Sequence, residues 1–175
     1  ESEYMVSTFV NNTFVNNRLT AKSSSLSDKT NGGSAIYFKS GSGSLNLVNN
    51  TIVGNTDSCY TTSGVPSVNF NGSAVHVISG KVRLVNNIIA GNFSSAAAAG
   101  EVYLGESASL QNSTYNLYGG ADRMNITAKS TDMVCRNYDR CVQDLQKVLD
   151  SEIVDGKLSL LLSDNGGFVP TVKVK

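Results

Sequence analysis

An internal period of 37 to 38 residues, paired asparagines within each repeat and short strands of alternating polarity predict an all-β fold, a right-handed parallel β-helix of about three to four coils with an irregular C-terminal cap. The block Leu47-Val48-Asn49-Asn50-Thr51-Ile52-Val53-Gly54-Asn55 returns as Leu84-Val85-Asn86-Asn87-Ile88-Ile89-Ala90-Gly91-Asn92, 37 residues later. A copy 38 residues before the first of these reads Phe9-Val10-Asn11-Asn12-Thr13-Phe14-Val15-Asn16-Asn17.

Each repeat opens on a strand: Gly33-Ser34-Ala35-Ile36-Tyr37-Phe38 recurs as Gly72-Ser73-Ala74-Val75-His76-Val77 and, more loosely, as Gly100-Glu101-Val102-Tyr103-Leu104. Successive strand side chains point to opposite faces, so Ile36 and Phe38, Val75 and Val77, and Val102 and Leu104 form inward columns. In the second strand Leu45 and Leu47 match Val82 and Leu84, with Asn46 and Arg83 pointing out. One such unit cannot bury its own apolar face, so copies must stack, each strand pairing with its counterpart in the next coil. The Asn pairs at 11/12, 49/50 and 86/87 suit the bend between strands: one Asn takes a left-handed backbone, and the other turns inward to bond the Asn of the next coil. Long insertions, Arg18 to Asn31 and Asp57 to Asn71, follow the third strand, where the next repeat has only Phe93 to Ala99. A leucine-rich repeat has a shorter period, and a propeller blade uses antiparallel hairpins, so neither fits.

From about residue 112 the repeat decays. The coils are assigned to residues 1–117 and the cap to 118–175, in one domain overall. Met133 to Asp150 has a helical rhythm with Val142, Leu145, Val148 and Leu149 on one side, and Leu158 to Leu162 and Val169 to Val174 read as strands. This lobe is expected to cover one end of the stack, which would otherwise expose pairing edges.

Nineteen asparagines with abundant Gly and Ser, no Trp and two Pro fit repeated tight turns. Fourteen basic and fourteen acidic residues cancel without a basic cluster, which argues against nucleic acid as a partner. No apolar run is long enough to span a bilayer. Cys135 and Cys141 are close enough to form a disulfide in an oxidising compartment or to remain two thiols, and Cys59 stands apart. The six N-x-S/T sequons, at Asn11, Asn49, Asn71, Asn92, Asn112 and Asn125, are read as a product of composition.

The Asn-Asn-Thr-Ile-Val-Gly-Asn and Asn-Asn-Ile-Ile-Ala-Gly-Asn blocks resemble those of parallel β-helix surface proteins grouped with polymorphic outer-membrane protein repeats. The tail Leu162-Ser163-Asp164-Asn165-Gly166-Gly167-Phe168-Val169-Pro170-Thr171 resembles the D-N-G-G-x-x-P-T signature of choice-of-anchor Q domains. Together they cover most of the chain. The resemblance implies an exported bacterial protein, extracellular or on the cell surface and associated with the outer membrane. The sequence stops at Lys175, short of the rest of that domain, so further coils or an anchor outside these residues are expected.

Carbohydrate-cleaving enzymes are common on the pectate-lyase-like version of this fold, but fold alone assigns no activity. A glycoside hydrolase needs converging carboxylates, and a lyase needs a base with calcium or a close cation. The acidic residues of the repeat region, Asp28, Asp57, Glu101 and Glu106, form no such cluster, while Asp122, Asp132 and Asp139 fall in the cap and suit a solvated face. No catalytic, metal or cofactor site is therefore assigned. Tyr37, His76 and Tyr103 share one outward slot in successive repeats and are expected to form an exposed aromatic file able to pack against sugar rings, with Arg83 and nearby Lys39 and Lys81 offering hydrogen bonds. Cross-strand stacking of strand-favouring residues explains the same pattern without a ligand. The expected role is a monomeric, non-catalytic stalk or adhesin-like segment contacting a polysaccharide or host glycan. The alternatives are a lyase or hydrolase with its acidic residues elsewhere, and a purely structural spacer.

Overall fold

A computed structural model of the chain describes residues 4–23, 32–61, 64, 74–95, 100–165 and 171–175. Asp28, Asn71, much of the long insertions and the Gly166-Gly167-Phe168-Val169-Pro170 part of the tail motif lie outside the described residues.

The chain begins with β1 (Val6–Val10), β2 (Thr13–Val15) and β3 (Arg18–Ser23). The triplet returns as β4 (Ile36–Val48), β5 (Thr51–Val53) and β6 (Thr56–Thr61), then as β7 (Val75–Val85), β8 (Ile88–Ala90) and β9 (Phe93–Ser94). A fourth course has β10 (Val102–Thr114) and β11 (Leu117–Tyr118), and β12 (Met133–Val134) follows. These strands build three sheets, ordered β1-β4-β7-β10, β2-β5-β8-β11-β12 and β3-β6-β9, with every pairing parallel. Beyond them come α1 (Tyr138–Val148), the antiparallel hairpin of β13 (Ser151–Val154) and β14 (Lys157–Leu160), and the short pair β15 (Leu162–Ser163) and β16 (Thr171–Val172). The fold is all-β in organisation, with parallel sheets and one α-helix among the described residues.

The register puts equivalent residues side by side: Ile36 beside Val75, Leu45 beside Val82, Leu47 beside Leu84, and Ile52 beside Ile89. Ile36, Phe38, Val75, Val77, Val102, Leu45, Leu47, Val82 and Leu84 are all buried in one core, as their alternation predicts, while Leu104 packs against it only half-buried. The alternation changes phase midway along the long strands, inward residues running 75, 77 and then 82, 84. The shift occurs where β4 and β7 slip in register between Phe38 and Ser44. Gly80 sits there at φ +109°, and a Cβ would lie 2.9 Å from the Gly43 carbonyl oxygen, so only glycine fits.

The asparagine pairs divide their work as the sequence predicts. Asn11, Asn49 and Asn86 adopt φ of 59°, 56° and 54°, turning the chain from the first sheet to the second. Their neighbours form an inner ladder. The backbone N–H and Nδ2 of Asn12 donate to Asn50 Oδ1 (2.9 and 3.3 Å), those of Asn50 to Asn87 Oδ1 (2.9 and 3.1 Å), and those of Asn87 to Asn116 Oδ1 (2.9 and 3.0 Å). A second Nδ2 hydrogen reaches back to a backbone carbonyl, from Asn50 to Phe9 and from Asn87 to Leu47. A second ladder, which the sequence reading did not single out, runs Asn17 to Asn55 to Asn92 between the second and third sheets, at the Asn that ends each repeat block.

The C-terminal third departs from expectation in its placement. Residues 121–134 cover the β10 end, with Met124 bridging to Val102 and Met124, Ile126 and Ala128 joining the core. The helix and hairpin instead lie along the flank of the second sheet. Ile52 and Ile89 point inward, so Val53 and Ala90 face out as an apolar strip. Onto that strip α1 packs Tyr138, Cys141, Val142 and Leu145, together with Leu158 and Leu160 from β14. Val148, expected on the buried side, is half exposed. Asn137 caps α1 by accepting the Arg140 N–H at 2.9 Å. The hairpin is tied to the first course by Asn16, whose Nδ2 donates to the Leu160 carbonyl (2.7 Å) and whose Oδ1 accepts the Leu160 N–H (3.0 Å).

These roles separate two adjacent residues by experiment. Asn87→Ala strands buried amide partners on both neighbouring courses and is expected to cost about 2–4 kcal/mol in denaturant unfolding. Asn86→Gly keeps the left-handed backbone and should stay within about 0.5 kcal/mol of the parent.

Candidate functional site

The aromatic slot forms where the first sheet is most regular. Tyr37 pairs with His76 and His76 with Tyr103, and the ring centroids stand 5.7 and 5.0 Å apart, tilted by 47° and 63°. The file is therefore real as a stack, but it is not the open strip expected. His76 is wholly buried on the face opposite Val75 and Val77, Tyr103 is half-buried, and Tyr37 is 47% exposed. Because both sides of β7 are covered at His76, what faces solvent is two tyrosines separated by roughly 10 Å, twice the strand spacing.

Arg83 is exposed in register with Asn46 and Asn112, beyond the phase shift at Gly80, as is Lys81. It lies seven residues along β7 from His76, roughly 20 Å in an extended strand. The sheet carries both features without bringing them to one sugar-sized site. Lys39, also exposed, neighbours Tyr37 in sequence and stays closest to the file.

A second surface, unmarked by the sequence reading, lies at the bend between the first two sheets. Asn49, Asn86, Ile88, Tyr115 and Met133 line an open groove of about 380 Å³. Tyr115 is 67% exposed, and the outward amides also stack, Asn86 Nδ2 donating to Asn49 Oδ1 at 2.9 Å. Aromatic faces beside oriented amides are chemistry suited to hydroxyl-rich ligands. The signal was present in the sequence as the outer Asn of each pair, with Tyr115 at φ 60° in the equivalent place of the fourth course.

Glu101, which the sequence places in no acidic cluster, and Asp132, expected on a solvated face of the cap, prove to terminate the amide ladders. Asp132 Oδ1 accepts the Asn116 N–H and Nδ2 (2.9 and 3.0 Å), and its Oδ2 accepts from Ser113 Oγ and the Lys129 N–H (2.7 and 2.9 Å). Partial burial opposes ionisation of Asp132, but these donated hydrogen bonds outweigh it and hold the carboxyl below its ordinary range. Glu101 ends the other ladder, accepting Asn92 Nδ2 at 2.6 Å and the Asn92 N–H at 3.4 Å. It is fully buried, and a Cβ at Gly119 would run into its Oε1. Burial pushes its carboxyl up to about 8, against the pull of the Asn92 bonds and the nearby Arg123 charge. Arg123 itself lies 4.5 Å over the Tyr138 ring.

Both acids are thus held by ladder amides. Among the described residues, no group of three His, Cys, Asp or Glu side chains could hold a metal ion. Cys135 and Cys141 bring their thiols together, with 2.8 Å between sulfurs, beneath α1. Among the described residues, no helix is long and apolar enough to cross a membrane.

The buried acid gives stability a definite pH dependence. The folded carboxyl of Glu101 titrates near 8 and its unfolded counterpart near 4.5, so the folded state holds one extra proton between them. This contribution is fully present below the unfolded value and is lost as pH rises through the folded one, with a slope of up to about 1.4 kcal/mol per pH unit. Glu101→Gln should flatten the fall in unfolding free energy between pH 5 and 8; an unchanged slope would place its source elsewhere. Comparison with family models, curated proteins and solved structures finds no match for this chain.

Proposed function

We propose that the chain is a right-handed parallel β-helix segment serving as a non-catalytic stalk or adhesin-like part of an exported bacterial surface protein, with glycan contact along its outer faces. The observation that carries the reading is the use of interior polar groups: two files of asparagine run through the stack and end on Asp132 and Glu101. Glu101 and Asp132 are thereby spent on the architecture, and the two outer surfaces described above carry tyrosines, amides and single cations. The circuit of the chain through three parallel sheets in turn supports the helical winding, and the general preference for right-handed crossovers supports its hand.

Two outer surfaces offer glycan contact. One is Tyr37 and Tyr103, flanking the buried His76, with Arg83 farther along the sheet. The other is the bend groove at Tyr115. Sugar faces pack on such rings while hydroxyls bond nearby amides and cations.

A glycan array probed with the parent, the Tyr37→Ala/Tyr103→Ala double variant and Tyr115→Ala tests the assignment. Loss of signal in the double variant, with the melting temperature nearly unchanged, locates contact at the file. Loss only in Tyr115→Ala moves it to the bend groove. No signal from the parent removes glycan binding and leaves the spacer role.

A further inference from the structure

Cys135 and Cys141 lie apart from both outer surfaces, at the joint between the stack and the helix on its flank. Cys135 directly follows β12 and stays in line with the second sheet, its backbone N–H donating to the Tyr118 carbonyl at 2.9 Å. The chain then turns at Asn137 into α1, whose first turn sets Cys141 against the strip of Val53 and Ala90. That turn brings a half-buried thiol and a buried one together, with 2.8 Å between the sulfurs.

The helix depends on this joint. A helix of 11 residues is marginal by itself in water. What keeps α1 on the strip is the apolar contact of Tyr138, Cys141, Val142 and Leu145, with Arg123 stacked over the Tyr138 ring. Apolar contact is non-directional, so it holds the helix down without fixing its position. A covalent bond between Cys135 and Cys141 would close a short loop across the joint and pin the first turn of α1 to the end of β12.

The two thiols are not equivalent. Burial, then the bond to Cys135 and the charges of Cys135, Glu101 and Asp144, push the Cys141 thiol up, which makes it the poorer first nucleophile. Cys135 is the one that solvent reaches.

We propose that Cys135 and Cys141 are a thiol–disulfide exchange site, at which an external disulfide oxidises the pair to an intramolecular disulfide that locks α1 onto the stack. Cys135, as its thiolate, attacks one sulfur of the external disulfide, whose S–S bond breaks and whose other half leaves as a thiolate. Cys141 then gives its proton to that thiolate and attacks Cys135 Sγ. The Cys135–Cys141 bond forms, and the second half is expelled. The pair loses two electrons and two protons in all, and the external disulfide leaves as two thiols. The inference is independent of glycan contact.

Oxidised glutathione is the probe. The full chain is incubated with it, the remaining thiols are blocked with N-ethylmaleimide, and the product is digested with trypsin. Cleavage after Lys129, Arg136, Arg140 and Lys147 separates residues 130–136 from 141–147 in the reduced chain, whereas the oxidised chain should yield the two joined as one peptide. Cys59 falls on residues 40–81 and is read separately. Cys141→Ser should stop at a single glutathione adduct on Cys135, and Cys135→Ser should leave Cys141 unmodified over the same time. The oxidised parent should melt about 5–10 °C above the reduced parent, and its α1 amides should exchange at least about tenfold more slowly. Failure of the parent to give the joined peptide, a first adduct on Cys141, or equal melting and exchange in the two forms would each overturn the proposal.

Discussion

The directional amide ladder is the interaction on which the rest depends. A parallel stack of short strands must bend sharply between sheets, and each bend buries backbone N–H and C=O groups that no strand can satisfy. An inward asparagine resolves this with one side chain, since its carbonyl accepts two donors from the preceding course while its amide gives one hydrogen forward and one back. The net gain per bond is modest, near 1 kcal/mol, but the cost of an orphaned partner is larger. Such a file therefore fixes register more than it adds stability, because a strand slipped by one residue would leave several buried amides unanswered at once.

Directionality also explains the ends. A file of amides that all donate one way needs an acceptor at its terminus, and a carboxyl group supplies one whether or not it is ionised. Asp132 and Glu101 fill that role in different surroundings. Asp132 sits near solvent with four donated bonds and stays ionised; Glu101 lies in the interior with fewer donors and holds its proton to higher pH. The same function thus carries opposite shifts, set by water and by donor count.

Much of this was legible in the primary structure, and the limits have physical causes. The inward columns at Ile36, Val75, Leu45 and Leu84 follow from a strict alternation of side chains, which survives any change of neighbours. The left-handed Asn11, Asn49 and Asn86 were visible because so few residue types tolerate that backbone. Burial of His76 was not legible, since alternation tells which face a side chain takes but not what lies over that face. Glu101 was equally hidden: it stands nine residues after Asn92, out of the repeat's own spacing, and only the stacking brings the two together. The flank position of α1 required knowing that Val53 and Ala90 face outward as a pair, a property of the assembled second sheet.

Asn16 closes a loop of a different kind. In a stack whose courses touch only their neighbours, loosening can begin at an end and travel inward one course at a time. The twin bonds between Asn16 and Leu160, residues 144 positions apart, bind the first course to a hairpin that also grips the third through Leu158 and Ala90. Separating the first course from the second therefore requires breaking this lateral strut together with the strand pairing, so the hairpin braces courses that would otherwise be held only by their immediate neighbours.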